Sequence, residues 1–389
     1  MVILLLHNRY RERGGEERAV AEQAALLRRY GHRVEVLERS SGELAGEGGR
    51  TRAGRAMLSG GEHEQEVASA VRALKADVVH AHNLHPLFGF RALEAARGAG
   101  ARTVLQLHNF RLFCAIGVAY RDGQVCHRCR GRNTLPGALR RCRGDLAESA
   151  VYALALARQQ PRIINGVDRF IALSQNTRLT LGAAGLPLER TDVVANPLSD
   201  SDFSPVSEAH RGHYALCVGR LVEEKGFDIA VRAAAAAGVP LRIVGQGPDE
   251  ARLRALAAGA DVQLLGRLEG PELARVRSAA ALALAPSRCE EQSPYAVLEA
   301  MAAGVPPLVS RLGGLPELAG EDASLPPGDV DAWTSALARS FGDPAQRRRD
   351  GEAALARAFE RAAPEHVHSG LMDVYRRAGA SVAAAGARA

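Results

Sequence analysis

The sequence predicts an α/β protein made of two Rossmann-like domains in tandem, facing each other across a cleft. Short apolar runs rich in Val, Ile and Leu alternate with Ala-rich segments of helical period, a pattern typical of βαβ units in parallel sheets. The pattern stops once, at residues 197–211, where prolines, serines and mixed acids predict a linker, and it then resumes. The length of 389 residues accommodates two such domains.

The composition excludes several classes of protein. Lys and Arg total 50 against 44 Asp and Glu, a formal net charge of +6, and the chain is 47% hydrophobic, which indicates a globular protein. No apolar run reaches the roughly 18 residues of a transmembrane helix, and no cleavage site follows the apolar start. Without basic runs that contain aromatic residues, nucleic acid is not an expected partner. We expect a cytoplasmic protein and leave open a peripheral contact with the inner membrane face.

Six strands are predicted for the first domain, residues 1–197. We interpret them as buried on both faces, because helices cover both sides of a parallel sheet in α/β folds. These strands are predicted at residues 2–6, 33–37, 77–82, 103–108, 170–174 and 192–196, with the clearest helices at 16–30 and 64–76. A Cys-rich insertion, residues 109–145, separates the fourth strand from the fifth.

A second series of the same kind predicts the second domain, residues 198–362. Its strands are predicted at residues 214–219, 241–245, 262–266, 281–285 and 307–310. The segment 363–389 has a helical composition, and whether it packs back on the first domain is left open. Because open α/β sheets bind ligands at the carboxyl ends of their strands, two facing domains predict one composite site between them.

An acidic loop between a predicted buried strand and an Ala-rich helix is the strongest local signal. It spans residues 286–301, where Pro294 breaks the chain before a helix, leaving Glu291 in the loop and Glu299 in the first helical turns. An ionised carboxylate suits a ribose diol because it accepts from two donors at once. The alternative is that Glu299 is only a favourable acid near a helix N-terminus.

A basic loop follows the first strand of the second domain. Arg220 and Lys225 lie just before a predicted helix, and two cations beside a helix N-terminus favour a phosphate. Because two fixed cations neutralise a diphosphate, no catalytic metal is predicted. The alternative is a solvated turn in which Lys225 pairs with Glu224 at the surface.

Glycine pairs occur in two further loops. Gly14 and Gly15 lie between the first strand and the first helix, where the backbone can approach a phosphate or a sugar. Gly245 and Gly247 follow a strand of the second domain. Neither loop has the three-glycine spacing of a dinucleotide fingerprint, so NAD is not a predicted cofactor.

Three histidines lie on or next to predicted strands of the first domain. His108 ends a strand at the carboxyl edge, where it is either structural or part of a site. His80 and His82 share one face of another strand without a zinc-protease signature, and we interpret them as packing or cleft-edge residues.

Four of the six cysteines lie in the insertion. Cys126 and Cys129 have the spacing of a zinc-ligand pair, and Cys114 and Cys142 complete a four-ligand set. The sequence leaves a structural zinc, free thiols and disulfides as alternatives.

Together these residues resemble the retaining glycosyltransferases of family 4, which have the GT-B fold. The resemblance covers nearly the whole chain. Its marks are Gly14-Gly15-Glu16, Asp77 to His82, His108, Asn196-Pro197, Val218-Gly219-Arg220, Glu224-Lys225-Gly226, Val244 to Pro248, and Glu291 with Glu299 seven residues beyond it.

The resemblance implies a metal-independent transfer of a sugar from a nucleotide-diphosphate sugar, with a UDP-sugar favoured, to a hydroxyl group of a glycan, glycolipid or natural product. It implies that Arg220 and Lys225 hold the diphosphate, that Glu291 binds the sugar and Glu299 the ribose, and that His108 contacts the sugar near the reacting carbon. The further donor contacts that it implies are Gly14, Gly15, Gly245, Gly247, Leu268, Ser293, Pro294 and Tyr295.

The chain departs from the family pattern at two places. Ser293 and Pro294 stand where the family often has an aromatic residue and a glycine, and Glu290 beside Glu291 leaves a one-residue ambiguity that only the spacing to Glu299 resolves. A GT-B sugar-nucleotide epimerase and a non-catalytic two-domain sugar-binding protein are the alternative functions. The binding protein leaves the set of Arg220, Lys225 and Glu299 without a purpose.

Overall fold

The computed structural model describes residues 1–10 and 14–381. The chain forms two compact units. The first contains Met1–Ala119, Cys126–Pro197 and the segment that begins at Pro364, and the second contains Tyr120–Val125 and Leu198–Ala363. The sequence assigned 120–125 to the first domain, whereas the structure groups this hairpin with the second unit, where the Tyr120 hydroxyl donates to Glu223 Oε1 at 3.2 Å.

The first unit contains a six-stranded parallel sheet of order β2-β1-β3-β4-β7-β8. Its strands are β1 Val2–Arg9, β2 Arg33–Ser40, β3 Val78–Asn83, β4 Arg102–Leu107, β7 Arg169–Ala172 and β8 Thr191–Val193. The antiparallel hairpin that belongs to the second unit consists of β5 Tyr120–Arg121 and β6 Gln124–Val125. All six predicted strands are present. Their order, with β1 in the interior, is that of a doubly wound sheet.

The prediction that every strand is buried on both faces is wrong for β2. Only Val34 in this strand is buried, while Arg33, Glu35, Val36 and Glu38 are exposed. The reason is its position, because β2 lies at the edge of the sheet and pairs with β1 alone.

Helices cover both faces of the first sheet. On β1, Ile3 and Leu5 point to one apolar cluster and Leu4 and Leu6 to another, as the alternation of a strand requires. The helices are α1 Gly15–Arg29, α2 Gly49–Ser59, α3 Glu64–Leu74, α4 Gly89–Gly98, α5 Leu135–Leu139, α6 Leu146–Gly166 and α7 Gln175–Ala184.

The second unit repeats the architecture, with a six-stranded parallel sheet of order β11-β10-β9-β12-β13-β14. The strands are β9 Ala215–Val218, β10 Leu241–Val244, β11 Val262–Gly266, β12 Leu282–Ala285, β13 Pro307–Ser310 and β14 Ser324–Leu325. The helices are α8 Phe227–Ala237, α9 Glu250–Leu256, α10 Gly270–Ser278, α11 Tyr295–Ala302, α12 Leu315–Ala319, α13 Val330–Gly342 and α14 Pro344–Ala362. The sequence missed β14, which is only two residues long.

The predicted linker is part of the second unit from Leu198 onward. The Ser207 hydroxyl donates to the Gly304 carbonyl at 2.6 Å, and the Ser204 amide donates to the Ala302 carbonyl at 2.9 Å. Arg347 of α14 donates to the carbonyl of Ala209 at 3.2 Å. Because these bonds satisfy the backbone, a segment that composition describes as a loop is fixed in place.

The helix that ends the described chain, α15 Pro364–Arg377, packs on the first unit against α1 and β7. Its Tyr375 is fully buried and its hydroxyl lies 2.8 Å from His80 Nδ1. Residues 382–389, which the sequence included in this helical segment, lie outside the described residues. Within residues 1–10 and 14–381, no helix combines the length and apolar character that a membrane crossing requires.

Candidate functional site

Two loops at the carboxyl edge of the second sheet bring Lys225 against Glu291. One follows β9 and the other follows β12, and these strands are neighbours in the sheet. Glu291 Oε1 accepts from Lys225 Nζ and, at 3.0 Å, from the Ser287 hydroxyl. Glu291, rather than its neighbour Glu290, is therefore the carboxylate in contact with the lysine. The surface pair of Lys225 with Glu224 that the sequence left as an alternative is replaced by this partly buried one.

The charges of this pair stabilise each other. Burial would raise the pKa of Glu291, but the charge and hydrogen bond of Lys225 hold it below its ordinary value. Burial would lower the pKa of Lys225, but Glu291 keeps it above its ordinary value. Both groups are therefore charged at neutral pH.

Lys225 is one of only two lysines among the 50 basic residues of the chain, the other being Lys75. An ammonium is a compact charge with three rotatable donors, whereas a guanidinium is a rigid planar fork. Lys225 therefore places a compact positive charge in the loop after β9, in a chain whose other basic residues are almost all arginines.

The loops after β9 and β12 touch through their backbones. Gly226 has φ +66°, and a Cβ at this position would lie 2.0 Å from the Pro286 carbonyl oxygen. The amide of Arg288 donates to the Glu224 carbonyl at 2.8 Å. Only glycine fits at position 226, and its presence lets the lysine of one loop reach the carboxylate of the other.

Arg288 is a residue that the sequence pattern did not single out. It makes a bidentate contact with Asp228 at 2.6 and 2.8 Å and donates to the Glu223 carbonyl at 3.1 Å. Although burial opposes it, the Arg288 hydrogen bond holds the pKa of Asp228 below its ordinary value. This bond ties the loop after β12 to the first turn of α8. The signal that could have found it is an acid in the first turn of a helix facing an arginine in the adjacent loop.

Arg220, predicted to bind phosphate together with Lys225, lies at the surface of the loop after β9. Its guanidinium is 3.7 Å from Glu224 Oε1, and its side chain is 57% exposed. An exposed guanidinium near a weakly held carboxylate is available to an anion.

Glu299 lies in α11, as predicted, and forms an ion pair with Arg277 of α10. Both side chains are buried. The sequence missed Arg277, because nothing in the spacing of two separate helices indicates that they meet. Glu299 therefore has a specific charged partner, and a favourable position near the N-terminus of α11 does not by itself explain why a glutamate stands here.

The glycines after β10 allow three strand-end loops to touch. A Cβ on Gly245 would lie 1.8 Å from the Gly219 carbonyl oxygen, and the Gly245 amide donates to the Gly266 carbonyl at 2.7 Å. A Cβ on Gly247 would lie 2.3 Å from the Leu221 carbonyl oxygen. Four other residues were predicted to contact the donor. Leu268 is half-buried against an apolar cluster of the second unit, and Ser293 and Tyr295 are buried. Pro294 is the N-cap residue of α11.

Histidines line the carboxyl edge of the first sheet. The rings of His80 and His82 stack at 4.7 Å, those of His82 and His108 stack at 5.1 Å, and His82 Nδ1 lies 2.8 Å from His108 Nε2. Burial lowers the pKa of His80 and of His108 to about 3 each. All three rings are therefore neutral at pH 7. His108, predicted as a site residue, belongs to this stack.

The pKa values of two adjacent glutamates at the start of α1 are shifted in opposite directions. Glu17 accepts from the amides of Tyr10 and Gly14 at 2.9 and 2.8 Å, and against the effect of burial its hydrogen bonds hold its pKa at about 2. Burial, followed by repulsion from Glu17, raises the pKa of Glu16 to about 8. Gly14 and Gly15, the predicted backbone contacts, are exposed beside them.

The four cysteines of the insertion are free thiols. Burial, followed by the neighbouring thiols of Cys114, Cys142 and Cys126, raises the pKa of Cys129 to about 11. Within the described part of the chain, no three His, Cys, Asp or Glu side chains are arranged to hold a metal ion. The thiols are neighbours without a ligand geometry, so the structural zinc stays a prediction.

Two family models match the chain, Glycosyltransferase Family 4 over residues 13–201 and Glycosyl transferases group 1 over residues 212–343. The chain belongs to the family 4 glycosyltransferases. The two models together cover both units, and each match includes the strand-end loops described above.

Curated relatives of this glycosyltransferase come mostly from bacteria. It is 37% identical over 199 residues to the MMP α-(1→4)-mannosyltransferase of Mycolicibacterium hassiacum, a match that covers 50% of this chain and 45% of that enzyme. It is 32% identical over 223 residues to a D-inositol 3-phosphate glycosyltransferase of Pseudarthrobacter chlorophenolicus, covering 51% and 53%. A match of 32% identity over 244 residues to an exopolysaccharide phosphotransferase of Streptomyces coelicolor covers 57% of this chain and 26% of that protein. The matches thus span about half or less of these relatives.

Solved structures establish the fold of the glycosyltransferase as GT-B. Sucrose-phosphate synthase of Thermosynechococcus elongatus superposes with a TM-score of 0.72 at 18% identity, covering 98% of this chain and 100% of that one. Anabaena HepE, solved with UDP and glucose, superposes with a TM-score of 0.65 at 17% identity, covering 97% and 99%. Neither the epimerase nor the sugar-binding protein is favoured by these comparisons.

Proposed function

We propose that the protein is a retaining glycosyltransferase that moves a sugar from a nucleotide-diphosphate sugar to a hydroxyl group of a glycan, glycolipid or natural product. The observation that carries the proposal is the contact of Lys225 with Glu291 at the carboxyl edge of the second sheet. The complexes of Anabaena HepE with UDP and with UDP-glucose support a nucleotide-sugar donor, with UDP favoured as the nucleotide.

The cations of the loop after β9 stabilise the leaving diphosphate. As the bond from the sugar to the diphosphate breaks, negative charge grows on the phosphate oxygens, and fixed positive groups lower the energy of that state. Lys225 supplies a charge held in place by Glu291, and Arg220 supplies an exposed guanidinium. Two such charges neutralise a diphosphate, so we propose that no metal ion takes part.

The two carboxylates have separate tasks. Glu291, half-buried in the loop after β12, accepts hydrogen bonds from hydroxyls of the transferred sugar while it keeps Lys225 charged. Glu299 accepts from the ribose diol, and its buried partner Arg277 keeps it ionised and in a fixed orientation.

The neutral His108 contacts the transferred sugar near the reacting carbon. A neutral imidazole places no positive charge beside an oxocarbenium-like sugar, whereas an imidazolium would repel it. The acceptor hydroxyl attacks on the face from which the diphosphate departs, and its proton passes to a phosphate oxygen of that leaving group. The new bond therefore keeps the configuration of the broken one.

The test uses slow hydrolysis of the donor, in which water replaces the acceptor. The purified protein is titrated calorimetrically with UDP, GDP, dTDP and ADP in EDTA, and the sugar ester of the nucleotide that binds is then followed by NMR. We expect one nucleotide to bind without metal, and the first sugar released to have the anomeric configuration of the donor. Inverted sugar would contradict the mechanism, and binding of no nucleotide would contradict the proposed function.

The site assignment has its own variants. Lys225→Ala and Glu299→Ala should each weaken nucleotide binding by at least about tenfold, because each removes a charged hydrogen-bond partner. Lys75→Ala, the change at the other lysine, is the matched control and should bind as the unaltered protein does. Unchanged affinity in both site variants, with the fold intact, would remove the nucleotide from these loops.

A further inference from the structure

A surface of the first unit combines exposed leucines with exposed arginines. Four of the ten exposed large apolar side chains in the described residues lie within residues 135–154. Scattered exposed leucines are ordinary on a protein surface, but a concentration of them marks an interaction site. We name it the Leu-Arg surface, and its members are Leu135, Leu139, Leu146 and Leu154 with Arg128, Arg130, Arg132, Arg141 and Arg158.

The leucines of α5 point outward because the opposite side of this short helix is buried. Gly137 and Ala138 face the protein, while Leu135 and Leu139, one helical turn apart, are 61% and 69% exposed. The hydroxyl of Thr134 donates to a backbone carbonyl in the middle of α6 at 2.6 Å. This bond fixes α5 against α6.

The solvent face of α6 continues the surface. Leu146 and Leu154 are exposed, and Arg158 lies one turn beyond Leu154 on the same face. The carbonyl that accepts from Thr134 belongs to Ala153. The residues next to this bond, Leu135 and Leu154, are therefore neighbours in space.

The charge around these leucines is strongly positive. Residues 126–158 contain seven arginines and two acids. Both acids have internal partners, since Asp145 caps α6 by accepting from the Glu148 amide at 2.7 Å, and Glu148 pairs with Arg143 at 3.0 Å. Glu148 is therefore already paired with an arginine, and the seven arginines of the segment exceed its two acids by five charges.

We propose that the Leu-Arg surface docks the protein on an anionic lipid bilayer. Exposed leucines gain free energy by entering the apolar zone beneath the headgroups, and arginines beside them bind lipid phosphates. A soluble acidic protein would pair with the arginines but would leave the four leucines in water unless it also supplied an apolar face. Because leucines and arginines are both exposed here, a partner with both an anionic and an apolar layer fits best.

The experiment measures sedimentation of the full chain with vesicles of phosphatidylcholine containing about 30% phosphatidylglycerol, and with phosphatidylcholine alone. Two variants change leucines or arginines of the surface, and two control variants change exposed leucine or arginine residues elsewhere. The leucine variant combines Leu135→Gln and Leu139→Gln, and its control is Leu179→Gln. The arginine variant combines Arg128→Ser, Arg130→Ser and Arg132→Ser. Its control combines Arg232→Ser, Arg254→Ser and Arg349→Ser.

We expect binding to the anionic vesicles that falls with added salt, and much weaker binding to the neutral ones. The arginine variant should lower the partition coefficient on the order of a hundredfold, and the leucine variant about tenfold, with both controls close to the unaltered protein. Loss with the arginine variant but not with the leucine variant would overturn docking through the leucines, because binding would then be a contact of arginines with headgroups alone. No binding to anionic vesicles at low salt, or binding that neither surface variant weakens, would also overturn the proposal. The readout does not use nucleotide or acceptor, so it is independent of the proposed function.

Discussion

Arg277 and Glu299 form a buried ion pair between α10 and α11, with side chains only 8% and 3% exposed. Removing one member takes the opposite charge away from the other at a buried position. Such a change costs about 3–5 kcal/mol in other proteins.

We predict that Arg277→Met lowers the free energy of unfolding by about 3 kcal/mol. Urea unfolding followed by fluorescence of the single tryptophan, Trp333, measures this change, because Trp333 is fully buried in the second unit. Arg275→Met, an exposed position on the same helix, is the control and should stay within about 0.5 kcal/mol of the unaltered protein. Equal stability of the two variants would show that the pair contributes nothing.

If Arg277 orients Glu299 for a ribose, Arg277→Met also changes the choice of nucleotide. We expect the unaltered protein to bind UDP more tightly than 2′-deoxy-UDP, since the second nucleotide lacks a hydroxyl that the carboxylate accepts from. In the variant the two affinities should approach each other, as they should in Glu299→Gln. If Arg277→Met changed neither the affinity for UDP nor the affinity for 2′-deoxy-UDP, the ion pair would contribute to stability and not to ribose binding.

Glu16 and Glu17 provide a pair of variants with opposite expected effects on stability. The pKa of Glu16 is raised to about 8, so its contribution to stability is present below its unfolded pKa and is lost as the pH rises toward 8. The pKa of Glu17 is lowered to about 2, so its contribution is present above the unfolded pKa and is lost as the pH falls toward 2.

At pH 8 we therefore predict that Glu16→Gln raises the free energy of unfolding by about 1 kcal/mol or more, and that Glu17→Gln lowers it. The gain of Glu16→Gln should shrink at pH 4.5, where the native glutamate keeps its proton. Thermal and urea unfolding at the two pH values measure these differences. A gain for Glu16→Gln that is the same at both pH values would show that the proton is not its cause.

His108→Ala should slow turnover without weakening nucleotide binding. The ring is placed beside the transferred sugar in the proposed mechanism and not beside the diphosphate. We expect a loss of roughly a hundredfold in the rate of donor hydrolysis, with the calorimetric affinity for the nucleotide within about twofold of the unaltered value. His63→Ala, a histidine near the surface of the same unit, serves as the control. A loss of nucleotide affinity equal to the loss of rate would move His108 out of the sugar site.

The structural zinc predicted for Cys114, Cys126, Cys129 and Cys142 is tested by its metal content. If the four cysteines bind zinc, protein purified without chelator carries close to one zinc per chain, because a site of four thiolates holds the metal tightly. Elemental analysis measures this. A content below about a tenth of a zinc per chain would leave the four residues as the free thiols that the structure contains.

The strands were predictable because buried parallel strands are continuous apolar runs, as in residues 2–6 and 281–285. The exposure of β2 has two sources: its place at the sheet edge, which the sequence does not give, and its charged Arg33, Glu35 and Glu38, which the interpretation of every strand as buried overlooked. The hairpin 120–125 could not be assigned to the second unit, because sequence neighbours on both sides belong to the first.

The site was predictable as a set of residues but not as a set of pairs. Spacing identified Lys225, Glu291 and Glu299 from their loops and helices. It did not show that β9 and β12 are adjacent, which is what places Lys225 on Glu291, because the strand order of the sheet does not follow the chain. Arg277 lies 22 residues from Glu299 on a different helix, and only the packing of α10 and α11 brings the two together.

The central claim is that a nucleotide diphosphate binds at Lys225, and the two lysines of the chain allow a direct measurement. Reductive ¹³C-methylation keeps the positive charge and labels Lys225, the exposed Lys75 and the N-terminal amine, and Lys225→Arg assigns the signals. On titration with UDP in EDTA, the signal of Lys225 should shift and saturate with the calorimetric affinity while that of Lys75 stays in place. Calorimetric binding of UDP with no change in the Lys225 signal would contradict the account.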